Sequence, residues 1–138
     1  LSKISGPLLD RIDIHIEIVP VPFEELSKKE ELESSETIRK RVINARNIQS
    51  KRFEKYPGIY CNAQMSSKLI REFVQLDTES ENRLKTAINR LNLSARAYDK
   101  ILKVARTIAD MDNSENVKPN HISEAINYRN LDREGWGG

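Results

Sequence analysis

From Ile12 to Ile18 apolar and polar residues alternate strictly, with Asp13, His15 and Glu17 between Ile12, Ile14, Ile16 and Ile18. A period of two predicts a strand over roughly 12 to 19 with one apolar face, and places His15 on the polar face. Pro20 and Pro22 cannot donate ladder hydrogen bonds and end it. A single strand cannot satisfy its own edges, so this one calls for partners elsewhere. From about 36 to 55 the period becomes helical: Ile38, Val42, Ala45, Ile48 or Gln49, and Phe53 form one stripe, and Pro57-Gly58 stops it. Residues 56 to 65 read as a loop. Ser66 suits the N-cap of a short helix carrying Leu69, Ile70, Phe73 and Val74. Thr78 and Glu81 fit a capping box opening a helix over 79 to 91, with Leu84, Ala87, Ile88 and Leu91 inward. After Ser94 a helix runs to about Met111, burying Ile101, Leu102, Ala105, Ile108 and Ala109 and leaving Asp99, Lys103, Arg106 and Asp110 opposite. Pro119 opens a last short helix with Ile122, Ala125 and Ile126 inward. The fold class is mainly α, a helical bundle over 36 to 132 preceded by one strand, with an acidic connection at 23 to 35 and a mobile tail at 133 to 138.

Composition narrows the class without naming a partner. The 138 residues carry 23 Lys+Arg against 21 Asp+Glu, a net charge of +2 that does not by itself argue for nucleic acid. One cysteine, Cys61, excludes an internal disulfide and any cysteine-based zinc cluster, and two remote histidines, His15 and His121, offer no metal set. No apolar run approaches the roughly 20 residues that span a bilayer, and no export signal is seen, so a cytoplasmic protein without a membrane partner is expected. The five glycines are scattered, and no phosphate-binding G-x-x-x-x-G-K-[ST] loop can be written. The chain opens on Leu1 in what reads as a helix-to-strand connection, which suggests a piece of a longer protein.

Three sets of cations carry candidate chemistry. Arg96 follows the expected cap Ser94 and so sits in a helix's first turn, where the dipole disfavours a cation. A bound phosphate would relieve that conflict, and so would an ion pair with Asp99. Arg11 stands at the edge of the expected strand, free to project outward or to pair with Asp10 or Asp13. Segment 36 to 55 holds seven cations, Arg39, Lys40, Arg41, Arg46, Lys51, Arg52 and Lys55, against Glu36 and Glu54. Such a face could follow DNA phosphates through Arg39, Arg46 and Lys51, as a stand-alone DNA-binding module, or could simply be solvated beside the acids of 24 to 36. A protein-contact surface formed by Pro57 to Met65 and the acidic connection is a third reading.

The runs Ile4-Ser5-Gly6-Pro7-Leu8-Leu9-Asp10-Arg11-Ile12-Asp13, Asn62-Ala63-Gln64-Met65, Leu93-Ser94-Ala95-Arg96-Ala97-Tyr98-Asp99 and Ser123-Glu124-Ala125-Ile126-Asn127-Tyr128-Arg129 resemble the C-terminal part of magnesium-chelatase-like AAA+ ATPases of the competence-associated ComM/YifB group. That resemblance implies an AAA+ helical lid over 36 to 132, and the end of the ATPase core over 1 to 22. It further implies a hexameric ring of identical subunits using ATP and Mg2+ to drive DNA handling, as a helicase or branch-migration enzyme. Arg11 falls at the position of the family's arginine finger, which reaches a neighbour's γ-phosphate, and Arg96 at its sensor 2 arginine. The fragment alone, without Walker motifs, is expected to bind no cofactor and to be inactive.

Overall fold

The computed structural model describes residues 4–28 and 32–129. They form seven α-helices and one 3-10 turn: α1 Gly6–Arg11, α2 Phe23–Leu26, α3 Ser35–Arg52, the turn Asn62–Gln64, α4 Ser67–Phe73, α5 Thr78–Leu91, α6 Ala95–Met111 and α7 Pro119–Asn127. The chain is therefore mainly helical, and the expected helical region from about 35 onward is observed. The expected tail at 133 to 138 lies outside the described residues.

Local chemistry explains where the helices begin. Ser34, Ser66 and Ser94 each turn a hydroxyl oxygen to an amide in the following first turn, at 3.1 Å for Thr37, 3.3 Å for Leu69 and 3.1 Å for Ala97. The start of α5 differs from the capping-box expectation. Asp77 is its N-cap and accepts from the Ser80 amide at 2.7 Å, because a carboxylate one residue earlier is the stronger acceptor at the positive end of the dipole. At the end of α5, Asn92 takes a left-handed conformation with φ of 51°, a role that asparagine tolerates. Pro119 occupies the first turn of α7, where its missing amide hydrogen costs nothing.

α6 is the axis of the bundle. Ala97, Ile101, Ala105 and Ala109 are fully buried along it, and its small alanines let α7 and α3 approach closely. Phe53, Met65, Leu69, Ile70, Leu84, Leu102, Val117 and Ile122 complete one core. Phe53, Tyr56 and Phe73 pack edge to face, with ring centroids 5.6 to 6.3 Å apart.

Two stripes differ from the sequence expectation. In α3 only the C-terminal half is buried, through Ala45, Gln49 and Phe53; Ile38 and Val42 are exposed because the first two turns extend beyond α6. In α6 Arg106 and Asp110, expected on the solvent side, are buried, because partners from outside the helix neutralise and hydrogen-bond them.

Over residues 12 to 19 the ladder pairing among the described residues is one parallel bridge, His15 with Arg129. The periodicity is visible as exposure rather than burial: Ile12, Ile14, Ile16 and Ile18 all face outward, Ile18 at 86%. His15, expected on a polar face, is 3% exposed, because its imidazole and amide both find carbonyls of the chain itself.

Candidate functional site

Arg11 is the last residue of α1, a position the helix dipole favours for a cation. Its side chain is exposed and makes no ion pair among the described residues. The nearest acid in sequence on the strand side, Asp13, is engaged elsewhere: its carboxylate pairs with Lys100 of α6. Arg96 occupies the first turn of α6, directly after the cap and the first helical residue, and is likewise exposed without an ion pair among the described residues. Asp99, the carboxylate that could have neutralised it, instead accepts from the Ser67 hydroxyl at 3.0 Å. Lys100 lies four residues beyond Arg96, hence on the same side of α6. The Asp13–Lys100 pair therefore brings the residues just after Arg11 against the side of α6 that carries Arg96.

The cations of α3 separate into different kinds. Lys40 lies 3.6 Å from Glu36 and Arg41 donates to Glu33 at 2.8 Å, while Arg39, Arg46 and Lys51 are exposed and unpaired among the described residues. Arg39 and Arg46, seven residues apart, share one side of the helix, and Lys51 stands about 120–140° round from them. Arg52 does not belong to that face at all.

Arg52 belongs to a buried polar knot that periodicity could not reveal. Its guanidinium grips Asp110 in a fork, Nη2 to Oδ1 at 2.6 Å and Nη1 to Oδ2 at 2.8 Å. Arg106 approaches the same carboxylate from one turn earlier, Nε to Oδ1 at 3.2 Å, and spends its other donors on the Ser114 and Glu115 carbonyls at 2.7 and 3.0 Å. Asn62 donates to Asp110 at 2.8 Å and to Thr107 at 3.0 Å, accepts from Arg52, and its amide donates to Gln49. Burial pulls the Arg106 pKa below its ordinary value; Asp110 opposes that, and the neighbouring Arg52 adds to it. The signal missed was the pairing of charge with spacing: Arg106 and Asp110 at i and i+4 read as an exposed pair until a second helix supplies Arg52. The knot fixes α3, α6 and the 62–64 turn to one another. Arg52 and Arg106 line a cleft of about 500 Å³, but their donors are committed to Asp110, Asn62 and the Ser114 and Glu115 carbonyls, so the knot reads as structural.

His121 is also structural. Its Nδ1 accepts from the Lys118 amide at 2.9 Å, so Nε2 carries the hydrogen toward Asp112 at 2.8 Å. Among the described residues no group of three His, Cys, Asp or Glu side chains could hold a metal, and no helix is long and apolar enough to cross a membrane. A cleft of about 710 Å³ separates segment 13 to 16 from α6 and α7, lined among others by Ile14, Ile16, Met111 and Tyr128.

A helical bundle built on an α6 that opens with Ser94-Ala95-Arg96, preceded by a short helix ending in Arg11, defines the class, and comparison with known proteins places it. Residues 32–129 match the family described as magnesium chelatase, subunit ChlI C-terminal. The chain belongs to that family, as a C-terminal helical region of the magnesium-chelatase-like ComM/YifB group of AAA+ proteins. It is 42% identical over 135 residues to the uncharacterized protein YifB of Escherichia coli, a match covering 96% of this chain and 26% of YifB. It is 38% identical over 134 residues to competence protein ComM of Haemophilus influenzae, covering 96% of this chain and 25% of ComM. The chain thus spans about a quarter of the length of these curated relatives.

Proposed function

We propose that this chain is the lid-bearing part of a ring-forming, cytoplasmic AAA+ ATPase in which Arg11 reaches the γ-phosphate held by a neighbouring subunit and Arg96 contacts nucleotide from the lid. The observation that carries this reading is the state of the two guanidinium groups. Both are exposed and make no ion pair among the described residues, while Asp13 pairs with Lys100 and Asp99 accepts from the Ser67 hydroxyl. A cation kept unpaired at a helix N-terminus is unfavourable alone and favourable beside an anion, so Arg96 fits a phosphate contact.

ATP with Mg2+ would supply the phosphoryl group to be transferred; the rest of the parent protein would hold it. Arg11 would place positive charge where negative charge develops, an effect on the order of 10³ to 10⁵ in rate for residues of this kind. Arg96, engaged in one nucleotide state and free in another, would bias the orientation of the lid. Similarity to a protein described as a competence protein supports DNA as the polymer acted on, by helicase or branch-migration activity in a homo-hexamer. Arg39 and Arg46 would then be auxiliary DNA contacts, with Lys51 too far round α3 to share one track.

The test uses the full-length ATPase. Arg11→Ala should reduce ATP turnover by about 10³-fold while nucleotide binding is retained. Arg96→Ala should weaken the coupling of nucleotide binding to lid movement, read by a distance probe between lid and core. Wild-type turnover in Arg11→Ala would remove the assignment. The chain by itself should show no turnover, and duplex DNA titrated onto it at low salt should give a flat response; a steep, salt-sensitive isotherm lost on reversing Arg39 and Arg46 would favour the stand-alone DNA module instead.

A further inference from the structure

α1 has six residues and no buried side chain, so neither helix propensity nor apolar burial explains why it is held. Its N-terminal end has the Ser5 hydroxyl, 3.3 Å from the Leu8 amide. At its C-terminal end three donors converge. The Leu9 carbonyl accepts from the Ile12 amide at 3.2 Å, from His15 Nε2 at 3.0 Å and from Arg129 Nη2 at 3.4 Å, and the Ile12 carbonyl accepts from Arg129 Nη1. Arg129 is 1% exposed and stands two residues beyond Asn127, the last residue of α7. The His15 amide donates to the Tyr128 carbonyl at 2.5 Å, completing a parallel bridge beside the guanidinium.

The carbonyls gripped are those two residues before and one residue after Arg11. A planar guanidinium that bridges two carbonyls fixes orientation as well as distance, which a flexible ammonium does not. The backbone around residue 11 is therefore clamped from the bundle side while its side chain stays exposed. We infer that Arg129, assisted by His15, is a positioning residue for Arg11: it mounts that guanidinium on the helical bundle and aims it. The inference rests on Arg11 having the role proposed above. It also gives a route of direct contacts from the lid to that residue, since Arg129 lies just beyond α7, α7 packs on α6, and α6 carries Arg96.

Two measurements test it. In this chain, Arg129→Ala should speed amide hydrogen exchange across residues 8 to 16 by about tenfold or more, with α4 to α6 unchanged. In the full-length ATPase the same variant should lower kcat by about tenfold or more, with KM for ATP within about twofold, and should add nothing in an Arg11→Ala background, because both changes remove one interaction. Arg129→Lys should fall between, retaining charge but losing the fork. Should Arg129→Ala fail to fold, His15→Ala and Arg129→Lys carry the same readouts with smaller effects. Unchanged exchange at 8 to 16 overturns the clamp. An inactive Arg11→Ala beside a folded, fully active Arg129→Ala overturns the positioning role alone, whereas wild-type turnover in Arg11→Ala sinks the reading beneath it.

Discussion

The bundle from α3 to α7 and the segment from Ile4 to Leu26 are held by opposite means. The bundle buries isoleucines, leucines and alanines around α6 and adds a charged knot on Asp110. The N-terminal segment exposes Leu8, Ile14, Ile16, Ile18, Val21 and Phe23, and is attached through polar contacts: Lys100 with Asp13, and Arg129 and His15 with carbonyls of α1. Apolar burial is non-directional and supplies most of the folding free energy, whereas a few directional hydrogen bonds contribute less but set an angle. The difference teaches that in this chain stability and aim reside in separate places. The bundle supplies a rigid frame, and the segment bearing Arg11 is oriented on it.

Substitutions ranked by expected size sharpen that contrast. Asp110→Asn should be the most damaging, since it leaves the buried Arg106 and the partly buried Arg52 as cations around an uncharged amide. Breaking such an arrangement costs about 3–5 kcal/mol, measurable by urea unfolding followed by circular dichroism. Ile122→Ala, at a fully buried position, should cost about 2–5 kcal/mol, while Ile18→Ala, in the segment, should stay within about 0.5 kcal/mol. Equal losses at these two isoleucines would erase the distinction between the regions.

The smallest effect belongs to the cap of α5 and is a pH effect. The hydrogen bond from the Ser80 backbone amide, at 2.7 Å, holds the Asp77 carboxyl below the ordinary aspartate value. The folded-state pKa is then lower than the unfolded one. The ionised cap accordingly stabilises above the unfolded-state value, and that contribution is lost as pH falls through the folded-state value. Asp77→Asn keeps a side-chain acceptor but cannot titrate. Wild type should be the more stable of the two at neutral pH, and the gap should close in acid; a gap constant with pH would mean that the carboxylate charge contributes nothing there.

Helices α3 to α7 were legible in the sequence because three-and-four spacing of Ile70 and Val74, Leu84 and Ala87, and Ile101 and Ala105 coincides with serine caps and a proline start. The knot was not legible, because Arg52, Asn62 and Asp110 are far apart along the chain and each looks like a surface residue until the helices meet. His15 was misplaced for a related reason. Strand alternation assigns faces only where a sheet exists, and here a single bridge to Arg129 decides which side chain is covered. Arg11 and Arg96 were singled out by resemblance and by dipole conflict. What the sequence could not supply was the fate of their neighbouring acids, which depends on Lys100 and Ser67 arriving from other elements.

The two guanidiniums sharing Asp110 also constrain the order in which this protein can change over generations. Three charges meet there, two positive and one negative. Losing Arg52 first leaves Asp110 and Arg106 as a balanced couple. Losing Asp110 first strands two like charges at once. Descendants that dispense with the knot are therefore expected to have abandoned the α3 arginine before the α6 aspartate, and a chain with the aspartate gone and both arginines kept should be the rarest of the intermediates.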